Sequence, residues 1–312
     1  DLDSLATLDI VQKISKVQLR DKSGIFIGSR MGRPEKAKMR KLTGSPHVLF
    51  PVGEEGGRLR CFQAALQEGR IRAEVPTYKC TNCDHRTVLS MCEKCDKPTT
   101  RLYQCSICGE IEEPECSQHG FVAAYKKQEI DIENIFKAML KKLDTRTYPD
   151  LIKGVRGTNN KDRTPEHIIK GILRAKHRLH VNKEGTIRYD ASELPITHFK
   201  AKEIGVSVEQ LKELGYEKDI KGKELVTEEQ ILEIKPQDVL LPCCPDAPEE
   251  PCDEILFRVT KFLDELMVKV YGLAPFYNLK SKKDLVGHLV IGLAPHTSAG
   301  ILGRIIGFTK TQ

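Results

Sequence analysis

The sequence has no uninterrupted apolar run of the ~18 residues that a membrane-spanning helix requires. The nearest candidate, 285–308, is broken by His288, Pro295, His296 and Arg304. No export leader is read behind Asp1, no low-complexity tract is present, and nothing repeats beyond the cysteine turns. The expectation is a cytoplasmic protein with no membrane contact. A Walker A ending is also missing, so the chain is not a P-loop enzyme. Asp144, Asp162 and Asp190 are scattered, which excludes a self-contained two-metal centre for phosphoryl transfer. His296-Thr297-Ser298 has no acid beside it in sequence and is not a catalytic triad.

What is present describes a folded chain. Of 312 residues, 39% are hydrophobic and 30% charged, which excludes a disordered tail and gives room for about two domains. The formal charge is +6. Seven cysteine thiolates on two zinc ions would reduce it to about +3, so overall basicity says little about a nucleic-acid partner. Distribution says more. The segment 30–41 carries six basic residues and one acid, and 153–188 carries ten and three, whereas 200–235 carries seven and nine. Positive charge gathered into two stretches is the pattern of an electrostatic footprint.

Eleven cysteines are present, eight of them between Cys61 and Cys116. Cys80 and Cys83, Cys92 and Cys95, and Cys105 and Cys108 form Cys-x-x-Cys pairs; Cys116 and His119 complete a fourth. A two-residue gap lets both ligands of a tight turn face one ion while backbone N–H groups steady the thiolates. Four such turns imply two structural zinc sites, with no position left for a reactive water. Chain length, the odd count and the missing leader disfavour a disulfide framework, and the number of pairs disfavours a redox motif. Short spacers favour sequential sets, Cys80, Cys83, Cys92, Cys95 and then Cys105, Cys108, Cys116, His119, over an interleaved cross-brace. Gly109 and Gly120 sit where such turns need positive φ. His85 reads as a surface residue and Cys61 as a small buried hydrophobe. Cys243, Cys244 and Cys252 lack an evident fourth ligand, so no third metal is expected.

Hydrophobic periodicity gives a mixed α+β chain in five segments: 1–78, 79–121, 122–199, 200–250 and 251–312. A short helix carries Leu5, Leu8, Val11 and Ile14, strands follow around 17–19 and 25–27, and Pro34 opens a helix running to Lys41. Short strands alternate with Gly-rich turns from Val48 to Tyr78. Ile132, Ile135, Phe136, Met139, Leu140 and Leu143 mark an amphipathic helix. Thr164-Pro165-Glu166 is expected to start another, with Ile168, Ile169, Ile172 and Leu173 inward and Lys170, Arg174, Lys176 and Arg178 outward. A strand through His177 to His180 turns at 182–185 into a second at 186–189. Val208, Leu211 and Leu214 predict one short helix, and Ile231, Leu232 and Ile234 a second. A long core helix then spans Ile255 to Val270, with strands at 289–293 and 301–308.

Two stretches could bind phosphate. Between Gly28 and Lys41, glycines admit a phosphate chain, a helix N-terminus adds positive potential, and Arg30 and Arg33 can fork onto oxygens. A solvated basic helix is the equal alternative. The loop from Lys153 through Gly154, Arg156 and Gly157 to Lys161 suits sugar and phosphate contacts rather than base reading, against the alternative of a flexible connector. Lys170 and Arg174 lie on the basic helix behind it. His296 occupies a loop at a strand end. From the residues alone this is a zinc-bearing nucleic-acid-binding module.

With Arg30-Met31-Gly32-Arg33-Pro34-Glu35-Lys36-Ala37, the two ligand quartets and Lys153-Gly154-Val155-Arg156-Gly157 in view, the sequence resembles the large, catalytic subunits of the archaeal family-D DNA polymerases. Three further strings agree: His167 to Ala175, Thr186 to Asp190 and Pro295 to Gly300. The resemblance implies double-psi β-barrel core segments with two zinc sites and helical inserts. It implies magnesium-assisted, template-directed addition of deoxynucleotides to a primer, with primer–template DNA and dNTP as partners. A small subunit carrying 3′–5′ exonuclease and a sliding clamp are implied as well. By the same resemblance Lys36, Lys38 and Lys41, as a group, lie near the active centre and stabilise charge on the triphosphate. Arg30, Arg33, Lys153, Arg156, Lys161, Lys170, Arg174 and His296 are the expected DNA or nucleotide contacts. The family's Asp-Gly-Asp-type magnesium motif is expected beyond Gln312 in a longer chain, leaving this piece inactive alone. A non-enzymatic zinc-ribbon adaptor is the second reading, and an RNA-modifying or translation factor with zinc ribbons the third.

Overall fold

The computed structural model describes residues 6–15, 45–182, 185–189, 196–244, 250–293 and 300–310. In chain order the first elements are α1 (Thr7–Ile14), α2 (Phe62–Glu68), β1 (Arg70–Val75), β2 (Thr77–Cys80), β3 (Arg86–Thr87) and β4 (Thr99–Cys105). Four short strands follow, β5 (Gly109–Ile111), β6 (Glu115–Cys116), β7 (Gly120–Phe121) and β8 (Lys126–Asp131), then helices α3 (Ile132–Lys142) and α4 (Ile168–Lys176). Next come β9 (His198–Lys200), α5 (Ala201–Ile204), α6 (Val208–Glu213), β10 (Ile231–Glu233) and β11 (Asp238–Pro242). The last are α7 (Cys252–Leu266), β12 (Leu289–Leu293) and β13 (Gly300–Thr309). The architecture is mixed α+β with several small sheets. Two compact bodies result: Met39–Asp190 with Ile255–Leu279, and Asp1–Lys38 with Ala191–Glu254 and Lys280–Gln312.

In the first body, β1 alternates strictly, burying Ile71, Ala73 and Val75 while Arg70, Arg72 and Glu74 face out, as a half-buried strand must. It pairs antiparallel with β8. Asp131 ends β8 and caps α3, accepting the Asn134 N–H at 3.0 Å. Glu133 in the first turn of α3 and Lys141 and Lys142 in the last suit the helix dipole. Ile132, Ile135, Phe136 and Met139 are buried on one face of α3, each adding roughly 1.5–3 kcal/mol through apolar burial. They join Phe50, Phe62, Ile168, Ile169, Leu173 and Phe262 in one core.

In the second body β9 and β10 pair antiparallel, with Leu232 opposite Phe199. A three-stranded sheet has the order β11-β13-β12; β11 runs parallel to β13 and β12 antiparallel to it. Asp238 and Arg304 face each other across the parallel pair and form two bonds of 2.8 Å. Ile305 and Ile306 are buried at 2% and 0% exposure.

Four local expectations need correction. Phe62–Glu68 is helical rather than extended, because Phe62 and Ala65 bury one turn apart and Gly69 ends the turn at φ 74°. Helix α4 starts at Ile168, not at Thr164. The Glu166 N–H is committed to the Leu49 carbonyl at 2.9 Å, and the His167 side chain supplies the cap. Residues 177–189 contain no assigned strand among those described, although Asn182 donates to Thr186 at 2.9 Å and closes the turn. Ile231–Glu233 is a strand rather than a helix: only Leu232 of the three is buried, the alternation of a sheet.

Candidate functional site

The four ligand turns converge in two groups, Cys80, Cys83, Cys92 and Cys95, and Cys105, Cys108, Cys116 and His119, with the ligand atoms of each group within 4.8 Å of one another. The grouping is sequential. Sulfur separations of 3.4 Å between Cys80 and Cys95, and 3.6 Å from Cys83 to both Cys92 and Cys95, are far longer than a disulfide bond. They approach the ~3.8 Å edge of a tetrahedron with Zn–S bonds of about 2.3 Å. In the second group His119 turns Nδ1 towards the three sulfurs, at 3.7, 3.2 and 3.5 Å. The donor set and spacing therefore fit a closed tetrahedral ion in both places. Among the described residues no third such group forms, and Cys243, Cys244 and Cys252 do not converge.

Each turn follows one plan. The first ligand of every pair is buried, and the second is exposed or half-exposed. The residue directly after each second ligand is left-handed: Asp84 at φ 55°, Asp96 at 56°, Gly109 at 84° and Gly120 at 69°. Two aspartates thus stand where sequence reading looked only for glycine; their short polar side chains tolerate this region. Backbone N–H groups serve the sulfurs, with the Cys83 amide as the main cause drawing Cys80 down to about 6, and the Cys108 amide doing the same for Cys105. Burial pushes Cys92 up to about 12, and the Cys116 thiol beside Cys108 raises it to about 11. Without a cation these quartets cannot ionise together, so metal uptake must release protons. His85 is no ligand: it is half-buried and bonds Glu93 at 2.7 Å.

Strand β4 joins the two groups. Its first residue, Thr99, lies opposite Cys80, and its last is Cys105, about 20 Å along an extended chain. Midway, Arg101 faces Tyr78 across the sheet and lies over the Tyr78 and Tyr103 rings at 6.0 and 5.6 Å. Its guanidinium donates to the carbonyl oxygens of Ala124 at 3.1 Å and Asp162 at 3.0 Å, and pairs with the Asp162 carboxylate at 3.2 Å. Arg163 lies over Tyr125 at 5.5 Å. The sheet that joins the two ligand groups therefore grips the 157–163 loop. Sequence reading missed Arg101 and Arg163; the Arg-x-Tyr spacing in β4, which puts 101 and 103 on one face, was the available signal.

The loop is not a flexible connector. The Lys153 N–H donates to His47 Nδ1 at 2.9 Å, and its carbonyl accepts from the His47 N–H at 2.8 Å. Gly154 is packed so closely that a Cβ would meet the Phe50 carbonyl oxygen at 2.6 Å. That glycine serves packing rather than phosphate approach. Beyond it the chain surfaces. Arg156 is exposed and paired with Glu54 at 2.7 Å, and Lys161 is exposed with no described acid against it. Thr158 and Asn160 close the loop through bonds of 2.8 Å to the Arg163 carbonyl and 2.7 Å to the Thr164 carbonyl.

Of the helix cations, Lys170 is half-exposed and 4.0 Å from Glu166. Arg174, expected to face outward, is buried. It forms two 2.8 Å bonds with Glu166 and a 3.0 Å bond to the His47 carbonyl, and these acceptors are what permit a guanidinium inside. Arg174 thus braces the loop rather than meeting solvent. His47, stacked on His180 at 4.8 Å, is depressed to about 3, first by burial and then by the neighbouring His180, Lys153 and Arg174. The remaining expected contacts, Arg30, Arg33, Lys36, Lys38, Lys41 and His296, lie outside the described residues, as do the elements predicted over 17–41.

Comparison with known proteins adds an independent line. The family model described as DNA polymerase II large subunit DP2, central domain, matches residues 2–113, and the corresponding catalytic domain matches residues 144–312. The DNA polymerase II large subunit of Archaeoglobus fulgidus is 48% identical across 97% of this chain and 27% of its own length. The Nanoarchaeum equitans protein of that name is 40% identical across 99% of this chain and 28% of its own. For Pyrococcus abyssi the values are 44%, 97% and 21%. The chain thus spans between about a fifth and just over a quarter of the length of these relatives. Since the catalytic-domain match over 144–312 alone takes in more than half of the residues, this chain belongs to the DNA polymerase II large-subunit family.

Proposed function

We propose that this chain is the part of a DNA polymerase large subunit that holds primer–template DNA and incoming dNTP for magnesium-dependent nucleotidyl transfer. The observation that carries this reading is the catalytic-domain match over residues 144–312, which favours it over a non-enzymatic zinc-ribbon adaptor. Two zinc ions, held by Cys80, Cys83, Cys92 and Cys95 and by Cys105, Cys108, Cys116 and His119, would stiffen the sheet beneath the 157–163 loop. Arg156, just before that loop, and Lys161 within it would meet phosphates, with Lys153 and Lys170 nearer its base. Arg30, Arg33 and His296 would add DNA or nucleotide contacts, and Lys36, Lys38 and Lys41 would stabilise charge on the triphosphate. The magnesium-binding acids, a small exonuclease subunit and a sliding-clamp contact belong to the complete assembly on this reading. The short β11-β13-β12 sheet, which mixes parallel and antiparallel pairs, is assigned to a double-psi β-barrel.

The test uses the full-length subunit with its small partner. Magnesium-dependent extension of a primed template is expected, and its absence from a metal-loaded, folded assembly overturns the reading. Replacing Arg156 and Lys161 together by Ala should weaken DNA binding at low salt and reduce the salt slope by about two phosphate contacts. An unchanged slope would remove the loop from the interface.

A further inference from the structure

In the segment 153–163 the cations Lys153, Arg156, Lys161 and Arg163 stand against a single acid, Asp162. That acid directly follows Lys161, where a free carboxylate would repel the phosphate that the lysine attracts. The chain is tied on both sides of Lys161. Asn160 accepts the Thr164 N–H at 2.8 Å and donates to the Thr164 carbonyl at 2.7 Å. The Arg163 N–H donates to the Asn160 carbonyl at 3.0 Å, and its guanidinium donates to the Thr158 carbonyl. Arg101 reaches in from β4 and holds Asp162 twice, at the carbonyl oxygen (3.0 Å) and at the carboxylate (3.2 Å). Lys161 is left exposed, with no described partner. Its own bonding does not account for Arg101. The Arg101 Nε is buried without a hydrogen-bond partner among the described residues, and an unmet donor costs free energy.

We propose, resting on the reading of this loop as a DNA contact, that Arg101 is a positioning residue for phosphate binding. It cancels the Asp162 charge and fixes the peptide between 162 and 163, so that Lys161 meets a phosphate as a preset, uncompensated cation. A lysine beside a free carboxylate is a neutral pair and releases few counterions from DNA; beside a cancelled carboxylate it counts as a full contact. A tip already in place also spares the cost of ordering it on binding.

The experiment takes the metal-loaded, full-length subunit with its small partner and measures the Kd for primed-template DNA against salt concentration. Lys161→Ala should weaken binding about tenfold near ~0.1 M salt and lower the salt slope by about one contact. Arg101→Gln should do the same with metal content unchanged. In the Lys161→Ala background Arg101→Gln should add nothing, because its effect runs through that lysine. Asp162→Asn should restore most of the affinity lost in Arg101→Gln, a rescue that a merely structural arginine would not show. A Lys161→Ala protein that binds DNA like the parent would sink the loop reading and the proposal together. Where that lysine matters, additive losses, failure of the rescue, or parental binding by Arg101→Gln would overturn the proposal and leave the loop reading standing. If Arg101→Gln does not fold, Asp162→Asn alone decides: binding at least as tight as the parent's is expected, and weaker binding overturns the proposal.

Discussion

At the residue scale, the buried Arg174–Glu166 pair decides whether the 153–163 loop has a base to stand on. Arg174→Met should cost about 3–5 kcal/mol because Glu166 is left charged and unpaired, read by denaturant unfolding. Adding Glu166→Gln should recover part of the loss, and no recovery would mean that packing rather than charge carries the effect. His47 makes a pH prediction. Its folded pKa, about 3, lies below the ordinary 6.5, so the unfolded chain binds the extra proton between these values. Stability should therefore be full above pH 6.5 and fall as pH drops towards 3, by about 1.4 kcal/mol per unit for this group. His47→Asn, which keeps an acceptor for the Lys153 N–H, should flatten that slope. Sequence patterning put Arg174 outside because it treats every arginine as solvent-seeking. The acid that buries it, Glu166, lies eight residues away, beyond any single helical turn.

At the scale of elements, the ligand turns obey a rule that reaches past the ligands. Asp84 occupies the left-handed position that Gly109 and Gly120 occupy elsewhere. Asp84→Ala should cost ~1 kcal/mol, because alanine keeps the crowded Cβ and loses the short polar side chain that compensates for it, while Asp84→Gly, which removes the Cβ, should not. A chelator-competition midpoint that ranks the two variants the other way would contradict this account. The ligand spacings were legible in sequence because metal geometry is local. The helices α3 and α7 were legible because their apolar faces repeat over three or more turns. Helix α2 and strand β10 were not: in segments of seven and three residues the period is too short to separate helix from strand, and tertiary partners decide.

At the scale of the whole molecule, the two bodies should respond differently to metal removal. Stripping with a chelator should raise amide exchange through β2 to β7 and, by way of Arg101, in the 157–163 loop. The β11-β13-β12 sheet, held by its own core and the Asp238–Arg304 pair, should keep its protection. Equal loss in both would show that the ligand module governs the entire fold. The proposed roles of Lys36, Lys38, Lys41 and His296 belong to this same scale, since a site for a triphosphate would draw on segments distant in sequence, which no local pattern joins.

Strand β4 begins opposite one cage and ends in the other, so the ordering of seven residues is shared between two binding events. The first ion to enter bears the entropic cost of straightening that strand, and the second meets it already set. Stepwise loading should consequently be cooperative, with half-filled molecules scarce at sub-stoichiometric metal.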